Sequence, residues 1–530
     1  MSGLPQRNAG WAQVRLAEVC HVITDGTHKT PDYRDSGIRF ISIKNIRPFQ
    51  PVDWDSYVRF ISKEEHLQLI KRCKPEMDDI LFPRIGTLGF AKRIDFEEEV
   101  SIFVGLGLLK PDKAVIRPAY LEYYMNAPWI AELSSERANG SGRLTLPLEE
   151  SREFPVLLPP LREQDRIVAE IEKQFTRLDA AVAALRRVQA NLKRYRAAVL
   201  KAACEGRLVP TEAELAHKEG RSYETGEQLL ARILKERRAK WDADQFAKMA
   251  AASELQKNDD WKKKKYKEPE TPDASNLPKL REGWIWASPD QLSEFDDNAI
   301  CAGPFGTIFK AKDFRPSGVP IIFLRHVAAG QYLTRKPGFM DPQKWDRLFR
   351  PYSVFGGELL ITKLGEPPGV CAIYPEKLGP AMVTPDVIKM SVNQAAAVPR
   401  FLMHYFNSDK ARLFSTGACF GTTRLRLTLP LFRRMPVALP PLAEQGRILT
   451  EVERQLSDEE ALAKLVDAQL VRADRLHQSI LKSAFQGRLV PQDSSDEPAS
   501  RLLERIRIER ETRQAQRNRA KTKPSFASVK

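Results

Sequence analysis

Residues 158–167 read LPPLREQDRI, and residues 200–210 read LKAACEGRLVP; both phrases return, as LPPLAEQGRI at 439–448 and LKSAFQGRLVP at 481–491. Pro159 aligns with Pro440, Glu163 with Glu444, Gln164 with Gln445, Arg166 with Arg447, Gly206 with Gly487 and Pro210 with Pro491, all 281 residues apart. Pro159 and Pro160 keep a helix from entering upstream, and Gly206 stands where a C-terminal cap belongs. Between them Ile171, Gln174, Leu178, Ala181, Leu185, Val188, Leu192, Tyr195, Val199 and Ala202 recur three and four apart, the spacing of a coiled-coil face. The second copy keeps the rhythm at Leu462, Val466, Gln469, Ala473, Leu476 and Ile480. The pattern predicts a helix from Leu161 to Cys204, roughly 65 Å long at about 1.5 Å per residue, and a second like it. Ile171, Leu178, Leu185, Val188, Leu192, Tyr195 and Val199 are expected to bury a seam against Leu462, Val466, Leu476 and Ile480. The alternative is that each helix packs on its own globular domain.

The duplication extends outward from the helices. LPQRNAGW at 4–11 matches LPKLREGW at 277–284, at an offset of 273. GIRFISIKNI at 37–46 alternates as a strand does, and GVPIIFLRHV at 318–327 stands in its place. DILFPRIGTLGFAKRI from Asp79 answers ELLITKLGEPPGVCAIY from Glu358. Helical segments are expected around 120–131 and 400–414, and RLTLP at 143–147 and 426–430 leads into each long helix. Even ETGEQLLARILKERRAK near Leu229 returns as DEPASRLLERIRIER near Leu502. A unit written twice is an internal repeat. The loops between these landmarks differ, as in TDGTHKTPDYRD at 24–35 and CAGPFGTIFKAKDF at 301–314. A common frame with different loops fits two binding modules with different ligands.

The expected fold is therefore α/β (α+β): two recognition regions separated by a pair of long helices in an antiparallel coiled coil, related by a pseudo-two-fold. The limits are a first recognition domain at 1–157, a helix at 158–210, a charged helical segment and linker at 211–276, a second recognition domain at 277–438, a second helix at 439–491 and a basic helical tail at 492–530.

Composition narrows the class. The chain of 530 residues is 42% hydrophobic and 29% charged, which suits folded domains in water. No apolar run approaches a membrane span and no signal-peptide pattern is present, so a cytoplasmic location is expected. Cys20, Cys73, Cys204, Cys301, Cys371 and Cys419 lie far apart, without CxxC or histidine partners, pointing to reduced thiols and no zinc. The formal charge is +15, and residues 501–530 carry ten basic against three acidic side chains. That excess favours a polyanionic partner. No GxxxxGK[ST] occurs. The nearest string to an amino-methyltransferase Asn/Asp-Pro-Pro-aromatic motif is Glu366-Pro367-Pro368-Gly369, which lacks both the amide or acid and the aromatic. No metal cluster or Ser/His/Asp order stands out, and no catalysis is expected.

At PPLREQDRI and PPLAEQGRI, closed by GRLVP, the chain resembles the DNA-specificity (S) subunit of type I restriction–modification enzymes over nearly its whole length. DGTHKTP at 25–31, RIGTLG at 84–89, GPFGT at 303–307 and LGEPPG at 364–369 resemble loops of that family's recognition domains. The long charged segment 211–276 departs from the pattern. The resemblance implies a non-catalytic subunit that reads a bipartite site on double-stranded DNA, one half per recognition domain. Two modification subunits would bring S-adenosylmethionine and methylate an adenine in each half. Restriction subunits, using ATP and Mg, would act on unmodified DNA; no cofactor or metal is expected on this chain. DNA contact is expected in the divergent loops: Thr24, Asp25, Thr27, His28, Lys29, Lys44, Asn45, Arg84, Asn139, Gly140, Ser141, Gly142 and Arg143 in the first copy. In the second they are Thr307, Lys310, Lys312, Arg325, His326, Lys363, Thr422, Thr423 and Arg424. Arginine and lysine pair with guanine edges, asparagine with adenine, and threonine or backbone amides with phosphate. Two other classes stay open: a coiled-coil scaffold with incidental DNA binding, and a self-sufficient DNA methyltransferase.

Overall fold

The computed structural model describes residues 8–521, apart from 9, 252–265, 305–308, 311–312, 337, 366–367 and 419–424. The chain forms two compact units, Met1–Arg187 with Val466–Lys530, and Val188–Leu465. The division therefore falls inside each of the long helices, which run Leu161–Cys204 and Leu442–Phe485, 44 residues each.

In the first unit Ala12–Arg15 pairs antiparallel with Pro155–Leu158, so the β-rich region closes just before the helix begins. A four-stranded antiparallel sheet runs in the order Cys20–Asp25, Leu106–Pro111, Ile80–Pro83 and Lys92–Arg93. Its inner strand Ile80–Pro83 is buried at every position, as a strand covered on both faces must be. A second sheet sets Ile38–Ile41 between Phe60–Ile61 and, in parallel, Val100–Ile102. The expected helix around 120–131 is two helices, Pro118–Met125 and Pro128–Glu136. Pro128 starts the second, and the Asn126 side chain binds both Ala91 backbone groups at the break.

The second unit repeats this order. Ile285–Ala287 pairs with Val437–Leu439, and Ile300–Ala302, Val387–Met390, Leu359–Thr362 and Cys371–Ile373 form the matching antiparallel sheet. Val319–Ile322 again runs parallel to a neighbour, Ala381–Val383, within a sheet widened to five strands. The segment around 400–414 is likewise two helices, Pro399–Phe406 and Asp409–Ala418.

Side-chain hydrogen bonds copy the repeat. Glu163 and Glu444, both buried, accept from the indoles of Trp11 (3.0 Å) and Trp284 (2.9 Å). Gln164 accepts from the Arg117 amide (2.8 Å), and Gln445 from that of Val398 (2.9 Å). The EQ pair thus ties each long helix to its β-rich region, because a buried carboxylate or amide must be satisfied. Gly206 and Gly487 both sit at φ 64°, and the amides of Arg207 and Arg488 reach back to Ala202 and Ser483, both at 2.9 Å, closing each helix in a Schellman cap.

The segments after the long helices are helices too. Gly226–Ala251 places Leu229, Leu230 and Ile233 in the second unit's core, while Ala499–Lys521 places Ala499 in the first unit's core. Cys20, Cys73, Cys204, Cys301 and Cys371 are free thiols; Cys419 lies outside the described residues. No described helix is long and apolar enough to cross a membrane.

The apolar seam differs from the heptad reading. Ile171 and Val199 are buried, but in the cores of the two units, and Ile480 packs on the first of these. Val466 is buried, Leu178, Leu185 and Leu192 are half-buried, and Val188, Tyr195, Leu462 and Leu476 are exposed, Leu462 by 51%. The ends of each helix bury apolar residues against sheets and short helices, which offer more apolar area than another helix does. The two helices share apolar contacts near their ends, Ile167 and Ile171 with Leu481 and Phe485 in one unit and Leu200 and Cys204 with Ile448 and Val452 in the other, and they add aromatic and polar contacts further along. In the first unit Phe175 meets His477 with centroids 4.6 Å apart. In the second, Tyr195 Oη donates to Gln455 (2.9 Å) and Arg196 to Glu459 (3.1 Å).

His404, in the second unit, lines a small apolar void with Leu200, Cys204, Ile448 and Val452. Burial holds its imidazole down at about 4. An unfolded chain would take this proton below about pH 6.5, whereas the folded unit refuses it until about pH 4. The second unit should therefore lose stability as pH falls through that window, by about 3 kcal/mol in all. Urea titrations of wild type and His404→Phe across pH 4–7 check this: equal slopes in both would show that His404 is not the source.

Candidate nucleic-acid interface

The loop leaving the strand Cys20–Asp25 is shaped by close packing. A Cβ on Gly26 would stand 2.2 Å from Ile102 O, and one on Gly303, its counterpart, 1.9 Å from Val383 O, so only glycine fits at either place. Beside Gly26, the Asp25 carboxylate is only 2% exposed. It accepts from Arg84 Nη1, from Arg72 Nη2 and from His28 Nε2, the last at 3.0 Å. Arg84, with a side chain 11% exposed, also donates from Nε to Leu146 O (3.1 Å), and its carbonyl accepts from the Leu146 amide (2.7 Å). This one ion cluster gathers the loops opening at Asp25, Arg84 and Asn139.

Asp25 and Arg84 are thus turned inward, and the structure assigns them to holding loops rather than facing a ligand. Asn45 is equally committed: buried, it donates to Asp53 O and Tyr57 O and accepts from Ser42 N and Oγ. Thr24 is half-buried on its strand, and Thr27 bonds locally to Lys29. His28, Lys29 and Lys44 are exposed. So are Asn139, Gly140, Ser141, Gly142 and Arg143, at the tip of a loop whose base is paired Asn139 to Thr145 at 2.8 and 2.9 Å.

In the second copy Lys363 stands where Arg84 does. Its amide donates to Asp386 O and its carbonyl accepts from the Leu427 amide, each at 2.8 Å. It is buried, and burial first, then the charge of Arg426, holds its ammonium below the usual lysine range. His326 is buried, its Nδ1 accepting from the Phe323 amide (3.2 Å), and burial lowers its pKa as well. Lys310 and Arg325 are exposed. Thr307, Lys312, Thr422, Thr423 and Arg424 lie outside the described residues. Burial separates these groups, and single residues in a loop string carry no signal of it.

The sequence reading passed over Tyr33, Tyr57 and Arg59. The Arg59 guanidinium lies 4.1 Å from the Tyr33 ring centroid and 4.9 Å from that of Tyr57, and Lys44 Nζ stands 4.2 Å over Tyr57. The interleaving of basic and aromatic residues in Tyr57-Val58-Arg59-Phe60 is the signal that marks them. Among the described residues no group of histidine, cysteine and carboxylates is placed to hold a metal ion.

Residues 8–187 match the family model described as type I restriction modification DNA specificity domain. The chain is 23% identical to the EcoKI specificity subunit of Escherichia coli K12 over 94% of its own length and 96% of that protein's. It is 21% identical to the StySPI specificity subunit of Salmonella potsdam with the same coverage. Among solved structures, one from work on complex assembly and conformational transition of the type I R-M system shares the fold at a TM-score of 0.59 and 16% identity, covering 91% of this chain and 99% of that one. With a repeated frame that spans the same length as these relatives, the chain is similar from end to end to the specificity subunits of type I restriction enzymes.

Proposed function

We propose that this chain is the sequence-reading subunit of a type I restriction–modification complex, with the recognition regions at 1–157 and 277–438 each reading one half of a bipartite DNA site. The observation that carries this reading is the duplicated frame, hydrogen bond for hydrogen bond, beneath loops that differ in sequence and charge. Two readers on one scaffold suit a split site, and the net charge of +15 suits a polyanion. The long helices are read as an antiparallel pair. Supporting this, Ile167 and Ile171 share the first unit's core with Leu481 and Phe485, while Phe175, further along, meets His477. In the second unit Cys204 lines a void with Ile448, and Tyr195, further back, reaches Gln455.

On this reading the chain has no catalytic role and binds no cofactor. Modification subunits bring S-adenosylmethionine and methylate an adenine in each half-site, restriction subunits bring ATP- and Mg-dependent chemistry, and the assembly works in the cytoplasm. Exchange of residues 1–157 for the same region of a relative is expected to change one half of the methylated site and leave the other intact. Methylome sequencing of cells carrying the chimera reads this directly, and a change in both halves overturns the division of labour.

A further inference from the structure

The repeat places a short capped turn at the same point in both copies. Ile43–Asn45 and Leu324–His326 are single 3-10 turns, 281 residues apart. In each, the last residue is buried and its side chain accepts from the backbone amide that opens the turn: Asn45 from Ser42 (2.9 Å), His326 from Phe323 (3.2 Å). In each, the middle residue is an exposed cation laid on an aromatic ring. Lys44 Nζ is 4.2 Å from the Tyr57 centroid, and the Arg325 guanidinium 4.1 Å from that of Phe323. The sequences IKN and LRH share no residue, and the rings come from different places in the chain, yet the cation and its support recur.

In the first copy the arrangement extends. Arg59 lies over both Tyr33 and Tyr57, and Arg39 stands 5.0 Å over Trp54 and 5.8 Å over Phe60. Five cation–π contacts thus fall within residues 33–60. The strip is held rigidly. Asn45 binds Tyr57 O, the Phe40 amide binds Arg59 O (2.9 Å), and Phe49 at φ 58° packs its ring on Phe175 (5.1 Å) and His477 (6.2 Å). Among the described residues neither Lys44, Arg59 nor Arg325 forms an ion pair. A guanidinium held against aromatic rings loses little further freedom when it binds. Arg325 Nη2 donates to Lys336 O (3.1 Å), but none of the three cations has a carboxylate partner among the described residues, and pre-placed cations of this kind match phosphate oxygens and the O6/N7 edge of guanine.

We propose that the two capped turns are the equivalent DNA-contact points of the recognition domains, Lys44 in the first and Arg325 in the second, with Arg59 adding a base-edge contact in the first. Asn45 and His326 are positioning residues. This rests on the DNA-reading function proposed above, and the experiment separates the two. The full chain, co-expressed with a modification subunit, is used to select duplexes from a randomised library, and the selected duplex becomes the probe. Lys44→Ala and Arg325→Ala, both at exposed positions, are expected to keep the unfolding midpoint. Each should weaken binding and lower the slope of log affinity against log salt by about one. Arg59→Ala is expected to lower affinity roughly five- to a hundredfold and to relax one position in one half of the site only. A split site selected by wild type and bound with unchanged affinity and salt slope by Lys44→Ala and Arg325→Ala overturns the inference and leaves the function standing. A wild type that selects no split site overturns both.

Discussion

Phe485→Ala is expected to destabilise the first unit by about 3–5 kcal/mol, the range for deleting a fully buried aromatic ring. Phe485 is the last residue of the second long helix and is completely buried. Its ring meets those of Tyr120 (5.4 Å), Tyr124 (5.1 Å) and Trp129 (5.8 Å) edge to face, so truncation removes aromatic contacts as well as apolar area. The slot is poorly able to collapse, because Tyr120 and Tyr124 are tethered through their hydroxyls to Leu157 O (2.7 Å) and Pro155 O (2.9 Å). The aligned residue in the other copy is Cys204, a far smaller side chain that is just as buried. Urea unfolding followed through the first unit's tryptophans should show the loss, whereas His404 in the second unit should titrate as before. An unchanged midpoint for the first unit would mean that the end of this helix is not part of its core.

The second large effect concerns the ion cluster beneath the loops. Asp25→Ala leaves Arg84 nearly buried with no carboxylate, and removing one partner of a buried pair costs about 3–5 kcal/mol. Arg84→Ala should cost less, because Arg72 and His28 still face Asp25. Both variants should loosen the loops at 84–89 and 139–146, which limited proteolysis detects before global unfolding does. The opposite outcome for Arg84→Ala is also defined. Full stability together with one relaxed position in the recognised site would make Arg84 a reader of bases and its bond to Asp25 incidental.

The division between what was legible in the residues and what was not has a physical cause. Local signals are complete in a short stretch. Two prolines and a glycine bound the first long helix at Leu161 and Cys204, because proline has no amide to give and glycine alone takes the left-handed cap without strain. The repeat at offsets of 273 and 281 was equally plain, and with it the equivalence of the two β-rich frames and the resemblance to specificity subunits. Periodicity, however, says that a helix face is apolar and not what covers it. Ile171 and Val199 satisfy a heptad and are buried in β–α cores, whereas Leu462 and Leu476 satisfy the same heptad and stand exposed.

The sequence pointed to loops, and burial in the fold divides the side chains they carry. Asp25, Asn45, Arg84, His326 and Lys363 belong to residue types suited to DNA, and all five are buried or nearly so. Asp25 and Arg84, 59 positions apart, neutralise each other only because two strands bring them together. Lys44 and Arg325 looked no different from their neighbours until the fold laid each on a ring. Sequence alone determined the duplicated scaffold and the limits of the long helices, since these depend on local backbone preference. Tertiary structure decided which cations are spent inside the protein and which remain for a ligand, since burial and pairing depend on residues distant in the chain.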